Sequence, residues 1–334
     1  MEKISVVIPA YNSGATVERT VESVYAQDYS NIEVIVVNDG SLDDTAGVLS
    51  KLKEKHPELT VITKENSGVS AARNDGIKAA TGKWLMTLDA DDFIDPETLK
   101  WMEMRARESG CDLVMCGLKL LYDDRSEFFR PSDEVIDDRS PFLDELMPWL
   151  YDNHLLTTHS NKLYDLDIIR KEEIYYDPGL QINEDIDFVF RYLKHAGTIG
   201  VIKGAYLNYV QHGVGESLVT TFQKYGVASS LKILRDFNEL REITEFSDNT
   251  LNEMNHRILV HILSFVGIMY YRSPMTDQEK MKVIKELLWD EDFSELISEV
   301  RAKNLKTAAA LMLLRGQHVK AYHMLCRLMY ISAS

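Results

Sequence analysis

Short unbroken apolar runs, separated by stretches of helical periodicity, set the strongest limit on how this chain folds. Residues 4–8, 32–37, 59–62 and 84–88 are each almost wholly apolar. Between the first two lies a segment with Val17, Val21, Val24 and Tyr25 on one helical face, behind Asn12 and Ser13 as capping residues. A second helix is expected through Val48, Leu49 and Leu52 up to Pro57, and an Ala-rich third over residues 70–80, stopped by Thr81 and Gly82. Strands apolar on both faces, alternating with helices, predict a mostly parallel sheet covered on both sides. Further along, helices are expected from about Pro141 and from Asn183 to Lys194, and residues 198–202 and 205–210 predict two strands paired around Lys203 and Gly204. The expected fold is α/β: a mostly parallel, Rossmann-like domain over residues 1–215, then an α-helical domain over 216–334.

Charge narrows the partners. The net charge of −16 argues against nucleic acid, whose phosphates select clustered Lys and Arg. The last 34 residues run the other way: Arg301, Lys303, Lys306, Arg315, Lys320 and Arg327 stand there without a single Asp or Glu. Val319, Tyr322, Cys326 and Met329 recur there at helical spacing, which predicts packing on the helical domain. Docking on an anionic membrane is the competing reading of that segment, and a helix that joins two copies is a third. Cys111, Cys116 and Cys326 have no metal-site spacing and are odd in number, which fits a reducing, cytoplasmic setting. Residues 4–10 are too short for a signal-peptide core and are broken by Pro9, and residues 258–271 are too short to span a bilayer and contain His261.

Polar residues gather where the apolar runs end. Leu88-Asp89-Ala90-Asp91-Asp92 puts three carboxylates behind the fourth run, where open α/β sheets bind ligands. Asp89 and Asp91 are spaced to share one hard divalent cation, although the same residues also read as an acidic loop before a helix starting at Asp95-Pro96-Glu97. Tyr11 and Asn12 end the first run and Asp39 the second, so all three reach the same sheet edge. Tyr11 can stack on a base, and Asp39 can accept from a base N–H or a ribose hydroxyl; each also reads as an ordinary strand-end or turn residue. After the first strand the chain reads Pro9-Ala10-Tyr11-Asn12-Ser13-Gly14, without the glycine fingerprint of a dinucleotide site, and a P-loop is also absent. Arg73 and Lys64 are the cations nearest to these strand ends in the sequence.

Ile4-Ser5-Val6-Val7-Ile8-Pro9-Ala10-Tyr11-Asn12, Val36-Val37-Asn38-Asp39-Gly40-Ser41, Asn66-Ser67-Gly68-Val69-Ser70-Ala71-Ala72-Arg73-Asn74 and Leu88-Asp89-Ala90-Asp91-Asp92 follow in order. Together they resemble the family 2 glycosyltransferases of the A-type fold, of the bacterial surface-polysaccharide kind. The resemblance is dense over residues 1–120 and loose to 215, and it implies a donor half (about 1–120) and an acceptor half (about 121–215). It also implies a nucleotide-diphosphate sugar, by resemblance a UDP-sugar, a Mn²⁺ or Mg²⁺ ion, and inverting transfer to a hydroxyl of a glycan or lipid-linked acceptor. By the same resemblance Pro9, Tyr11, Asn12, Asp39, Asn66, Arg73 and Asp89 bind the donor, and Asp91, Asp89 and His212 the metal. Glu184 and Asp185 match the family's acidic pair, with Asp185 as general base; Asn183-Glu184-Asp185 also reads as a helix start, whose dipole would keep Asp185 ionised. Ser160-Asn161-Lys162-Leu163-Tyr164 resembles the same relatives and puts Lys162 toward the acceptor. The rival readings are a sugar nucleotidyltransferase, whose Gly-rich basic loop is missing, a non-catalytic nucleotide-sugar binder, and a phosphotransferase of the haloacid-dehalogenase type.

Overall fold

A computed structural model describes residues 1–131, 133–211, 222–301 and 305–331. The chain divides into two compact units, Met1–Leu180 with Glu184–Gly213, and Gln181–Asn183 with Val214–Ser334.

The first unit begins with the expected alternation. Strands β1 (Ile4–Ala10), β2 (Ile32–Asp39), β3 (Thr60–Lys64) and β4 (Trp84–Thr87) pair in parallel in the order β3-β2-β1-β4. Helices α1 (Val17–Tyr25), α2 (Thr45–Lys55) and α3 (Val69–Ala79) connect them. All seven residues of β1 are buried, because β2 and β4 flank it and α3 lies close against it. Gly76 permits that closeness: a Cβ there would meet Val7 Cγ1 at 2.2 Å.

Beyond β4 come β5 (Phe93–Ile94), α4 (Thr98–Ser109), β6 (Leu113–Leu121), β7 (Ser126–Phe129), β8 (Val135–Asp138), α5 (Arg139–Asp152), β9 (Lys162–Asp165), α6 (Leu166–Lys171), α7 (Glu184–Leu193) and β10 (Thr198–Val210). They extend the sheet as β4-β9-β6-β10-β5, with β9 antiparallel to both neighbours and the long β6–β10 ladder parallel. In this half one expectation is corrected. Residues 198–210 are a single strand, not two strands folded on each other, and both of its halves pair with β6. The register shifts after Ile202 and after Ala205, with Gly204 at φ +148°, so this glycine marks a bulge where a turn was expected. Gly117 on β6 makes room for it: a Cβ there would meet Gly204 O and Phe129 O, each at 2.6 Å.

Lys162 is also corrected. Its side chain is wholly buried at the start of β9, where Nζ donates to Leu155 O (2.6 Å), Asn161 Oδ1 (2.8 Å) and Thr158 O. Three N–H groups meet three acceptors, so the lysine fastens the preceding loop and does not face an acceptor.

Among its described residues the second unit is helical from Gly226 onward: α8 (Gly226–Glu242), α9 (Asp248–Arg272), α10 (Asp277–Leu288), α11 (Glu291–Glu299), α12 (Leu305–Arg315) and α13 (Val319–Ile331). Thr276 and Glu279 close a reciprocal capping box on α10, and Ser247 and Asp290 cap α9 and α11. Phe237, Ile258, Ile262, Leu287, Phe293 and Leu314 are buried in it. Tyr322 and Cys326 are buried as the packing reading requires; Arg315 donates to Ile297 O and Val300 O at the end of α11, and Arg327 pairs with Asp277. Among the described residues no helix is long and apolar enough to cross a membrane.

Candidate functional site

Beyond the ends of β1 and β2, two loops are stitched together by their own polar groups. Asn12, in left-handed backbone at φ +50°, donates its N–H to Ser41 Oγ (3.0 Å) and accepts Leu42 N–H on Oδ1 (2.8 Å). Asp39 is 2% exposed; Oδ1 accepts Ser67 N–H at 3.0 Å and Oδ2 accepts Gly68 N–H at 2.8 Å. Asn66 returns a bond from Nδ2 to Asp39 O, and Gly40, at φ +70°, leaves room for Asn66 N, which a Cβ would meet at 2.7 Å. Ser67 Oγ adds a longer contact to Oδ1 (3.4 Å), so the carboxylate expected to read a base first organises the loop beside it.

These loops enclose a cleft of about 300 Å³ lined by Pro9, Ala10, Tyr11, Asp39, Asn66, Gly68, Val69 and Ala72. Four residues expected at a donor site (Pro9, Tyr11, Asp39 and Asn66) line it; Asn12, Arg73 and Asp89 do not. Ala10, Gly68, Val69 and Ala72 were not singled out, although all four fall inside the first and third of the four sequence motifs. A larger hollow, about 550 Å³, is bordered by Met1, Tyr25, Tyr29, Ile32 and Glu58, toward the amino ends of the strands and away from the edge where open α/β sheets bind ligands.

Arg73 follows Ala72 on α3 and turns to the acids. It is 4% exposed. Its Nη2 lies 2.8 Å from Asp89 Oδ1 and its Nη1 2.9 Å from Glu184 Oε1, while the guanidinium stands 5.0 Å over the Tyr176 ring. Lys64 likewise pairs with Asp75, so both cations nearest to the strand ends are engaged by the chain's own carboxylates. Burial pushes the Asp89 carboxyl up, but Arg73 and then His159 outweigh it and hold the group far below the usual carboxylate range. His159 Nε2 lies 3.3 Å from Asp89 Oδ2. Asp91 is half-buried and its carbonyl accepts from Arg19. Asp92 is buried: Oδ1 accepts Val210 N–H at 2.9 Å and Oδ2 meets no partner. Burial, reinforced by the charges of Asp89 and Asp91, raises the Asp92 carboxyl well above its ordinary value.

Asp185 lies in the first turn of α7, half-buried, with Oδ1 accepting Ile186 N–H at 2.8 Å. Burial, and next the charge of Glu184, push its carboxyl up to about 7. Burial here works against the ionising effect expected of the helix start. His212 lies outside the described residues.

Among the described residues no three His, Cys, Asp or Glu side chains stand close enough to hold a metal ion. The donor chemistry nevertheless fits a hard divalent cation, since Asp89 and Asp91 offer carboxylate oxygens at a strand end. Mg²⁺ in particular commonly takes one or two protein carboxylates and completes its shell with phosphate and water.

An open sheet with a small cleft beyond its strand ends, an acid loop beside it and a carboxylate-bearing helix tied to that loop is the arrangement that the resemblance to A-type glycosyltransferases implies. The family profile described as Glycosyl transferase family 2 matches residues 5–172, half of the chain, and the chain belongs to that family. It is 26% identical over 208 residues to the uncharacterized glycosyltransferase EpsJ of Bacillus subtilis, covering 61% of this chain and 60% of EpsJ. To the succinoglycan biosynthesis protein ExoO of Rhizobium meliloti it is 30% identical over 217 residues, covering 63% and 61%. The matches thus span about three-fifths of these relatives' length. S. aureus TarS 1–349, solved in complex with UDP-GlcNAc, shares the fold with a TM-score of 0.76 at 21% identity, over 99% of this chain and 92% of that one.

Proposed function

We propose that this glycosyltransferase moves a sugar, with inversion, from a UDP-sugar to a hydroxyl of a glycan or lipid-linked acceptor, in a metal-dependent reaction with Asp185 as general base. One observation carries the proposal: Arg73 holds Asp89 of the acid loop and Glu184, the neighbour of Asp185, on the two arms of one guanidinium. That pairing, made by the residue after Ala72 of the cleft lining, supports a donor loop and a base helix that serve one site. The TarS complex carries UDP-GlcNAc, and a Pyrobaculum calidifontis mannosyltransferase with a TM-score of 0.51 carries GDP-Man and Mn²⁺, which supports a sugar-nucleotide and a divalent ion in this chain as well.

In this reading Tyr11, 48% exposed at the cleft, stacks on the base, and the Asp39–Asn66–Gly68 loop receives its polar edge. A bound Mn²⁺ or Mg²⁺ held by Asp91 with Asp89 supplies positive charge against the diphosphate. Asp185 takes the proton from the acceptor hydroxyl as that oxygen attacks the anomeric carbon from the face opposite the diphosphate, the bond from that carbon to the diphosphate oxygen breaks, and UDP leaves. Removing a general base commonly costs about 10²–10⁴-fold in rate. Asp185→Asn is therefore expected to lose transfer by that factor and to keep UDP affinity within a few-fold; near-normal turnover would refute the base. Nucleoside diphosphate release across a donor panel tests the reaction class, and pyrophosphate release would point to a nucleotidyltransferase.

A second reading concerns location. Met312 on α12 and Met324 on α13 are exposed, and so is Lys320, a combination suited to peripheral contact with an anionic membrane on the cytoplasmic side.

A further inference from the structure

We infer that His159 is a positioning residue for the donor site: its Nε2–H donates to Asp89 while Nδ1 accepts from Thr87, which locks the Asp89 carboxylate between His159 and Arg73. The inference rests on the proposed donor-site role of Asp89. His159 is 2% exposed, in the loop just ahead of β9, and no part of the donor motifs contains it. Three distances carry the argument. Thr87 Oγ1 lies 2.6 Å from His159 Nδ1, Tyr176 Oη lies 3.3 Å from the same hydroxyl, and His159 Nε2 lies 3.3 Å from Asp89 Oδ2.

Proton order follows from what each group can do. A carboxylate paired with the Arg73 guanidinium accepts, so the imidazole proton sits on Nε2. Nδ1 is then the acceptor, the Thr87 hydroxyl donates to it, and Tyr176 donates to Thr87. The anchor is firm at its far end. Asn74 clamps the Tyr176 backbone with two bonds of 2.8 Å, and the Tyr176 ring stacks on Phe188 with centroids 4.2 Å apart. Asp89 therefore has one donor on each oxygen: Arg73 on Oδ1 at 2.8 Å and His159 on Oδ2. Orienting partners of this kind are commonly worth about 10–100-fold in ion affinity or activity.

The test compares His159→Leu, His159→Gln, Thr87→Val and Thr87→Ser. UDP affinity is read by calorimetry with Mn²⁺, donor kcat/KM by nucleoside diphosphate release, and the imidazole nitrogens by ¹⁵N NMR. His159→Leu is expected to lose about 10–100-fold in both UDP affinity and kcat/KM. His159→Gln, which keeps an N–H at the Nε2 position, recovers most of that loss, and Thr87→Ser outperforms Thr87→Val. A structural role alone would lower the Tm and leave folded protein with normal affinity. Wild-type behaviour in His159→Leu, or equal loss in the Gln and Leu variants, overturns the inference. Should His159→Leu fail to fold, Thr87→Val decides: a ring still fixed as Nε2–H with unchanged UDP affinity overturns it. Wild-type protein that bound no nucleotide would sink the donor-site reading, while the ¹⁵N shifts would still show whether Nε2–H is the tautomer; a ring protonated on Nδ1 instead would overturn the proton order.

Discussion

At the scale of single residues, the site works by setting its carboxyl groups apart. Asp89 is held ionised by Arg73 and His159, Asp92 is raised in a buried niche, and Asp185 is pushed up to about 7. A base titrating near the working pH combines proton affinity with a useful ionised fraction. With Asp185 as the proposed base its deprotonated form is the active one, so kcat/KM should fall as pH drops through about 7 and level off above it. A carboxylate at its ordinary value would leave the profile flat from about pH 5.5 to 8.5, and that result would remove Asp185 as a raised base. Legibility differed among these residues for a physical reason. Asp39 closes an apolar run at an Asp-Gly turn, so its type and place announced it. Thr87, His159 and Tyr176 meet across 72 and 89 residues of chain, and nothing local to any of them signals the meeting.

Among the elements, α3 is placed most tightly. Gly76 presses it on β1 with no room for a methyl group next to Val7. Gly76→Ala should overpack this contact and destabilise the protein by about 1–3 kcal/mol. Urea unfolding followed by circular dichroism measures it, and an unchanged midpoint would show that Val7 can move aside. The parallel half of the sheet was legible because its strands are continuous apolar runs between clear helices. The other half was not. β5 has two residues and β7, β8 and β9 four each, too short for a pattern, and β9 begins on a buried lysine. Gly204 was misread because a glycine between two apolar runs marks a bulge as readily as a turn.

For the whole molecule, the helical content after residue 216 was expected, and the described residues there are helical from Gly226. We retain as proposals the functional boundaries, 1–215 for the catalytic domain and 216–334 for the helical one. The basic end illustrates how tertiary contacts change a charge argument. Arg315 serves the carbonyls that end α11 and Arg327 pairs with Asp277, so two of the six cations are engaged within their own unit. Pelleting with anionic vesicles is accordingly expected to be weak, to vanish at high salt, and to depend on Met312 and Met324. Strong binding that survives Met312→Ser with Met324→Ser would exclude those two side chains as the contact.

Helix α3 borders the cleft with Val69 and Ala72 and, one residue later, grips Asp89 and Glu184 with Arg73. Under the proposed roles, substitutions along that helix that retune which nucleoside is accepted are expected also to shift how fast the acceptor is deprotonated. Nucleotide preference and turnover would then be geared to one shaft, and a variant library built on α3 should yield few members in which only one of them has changed.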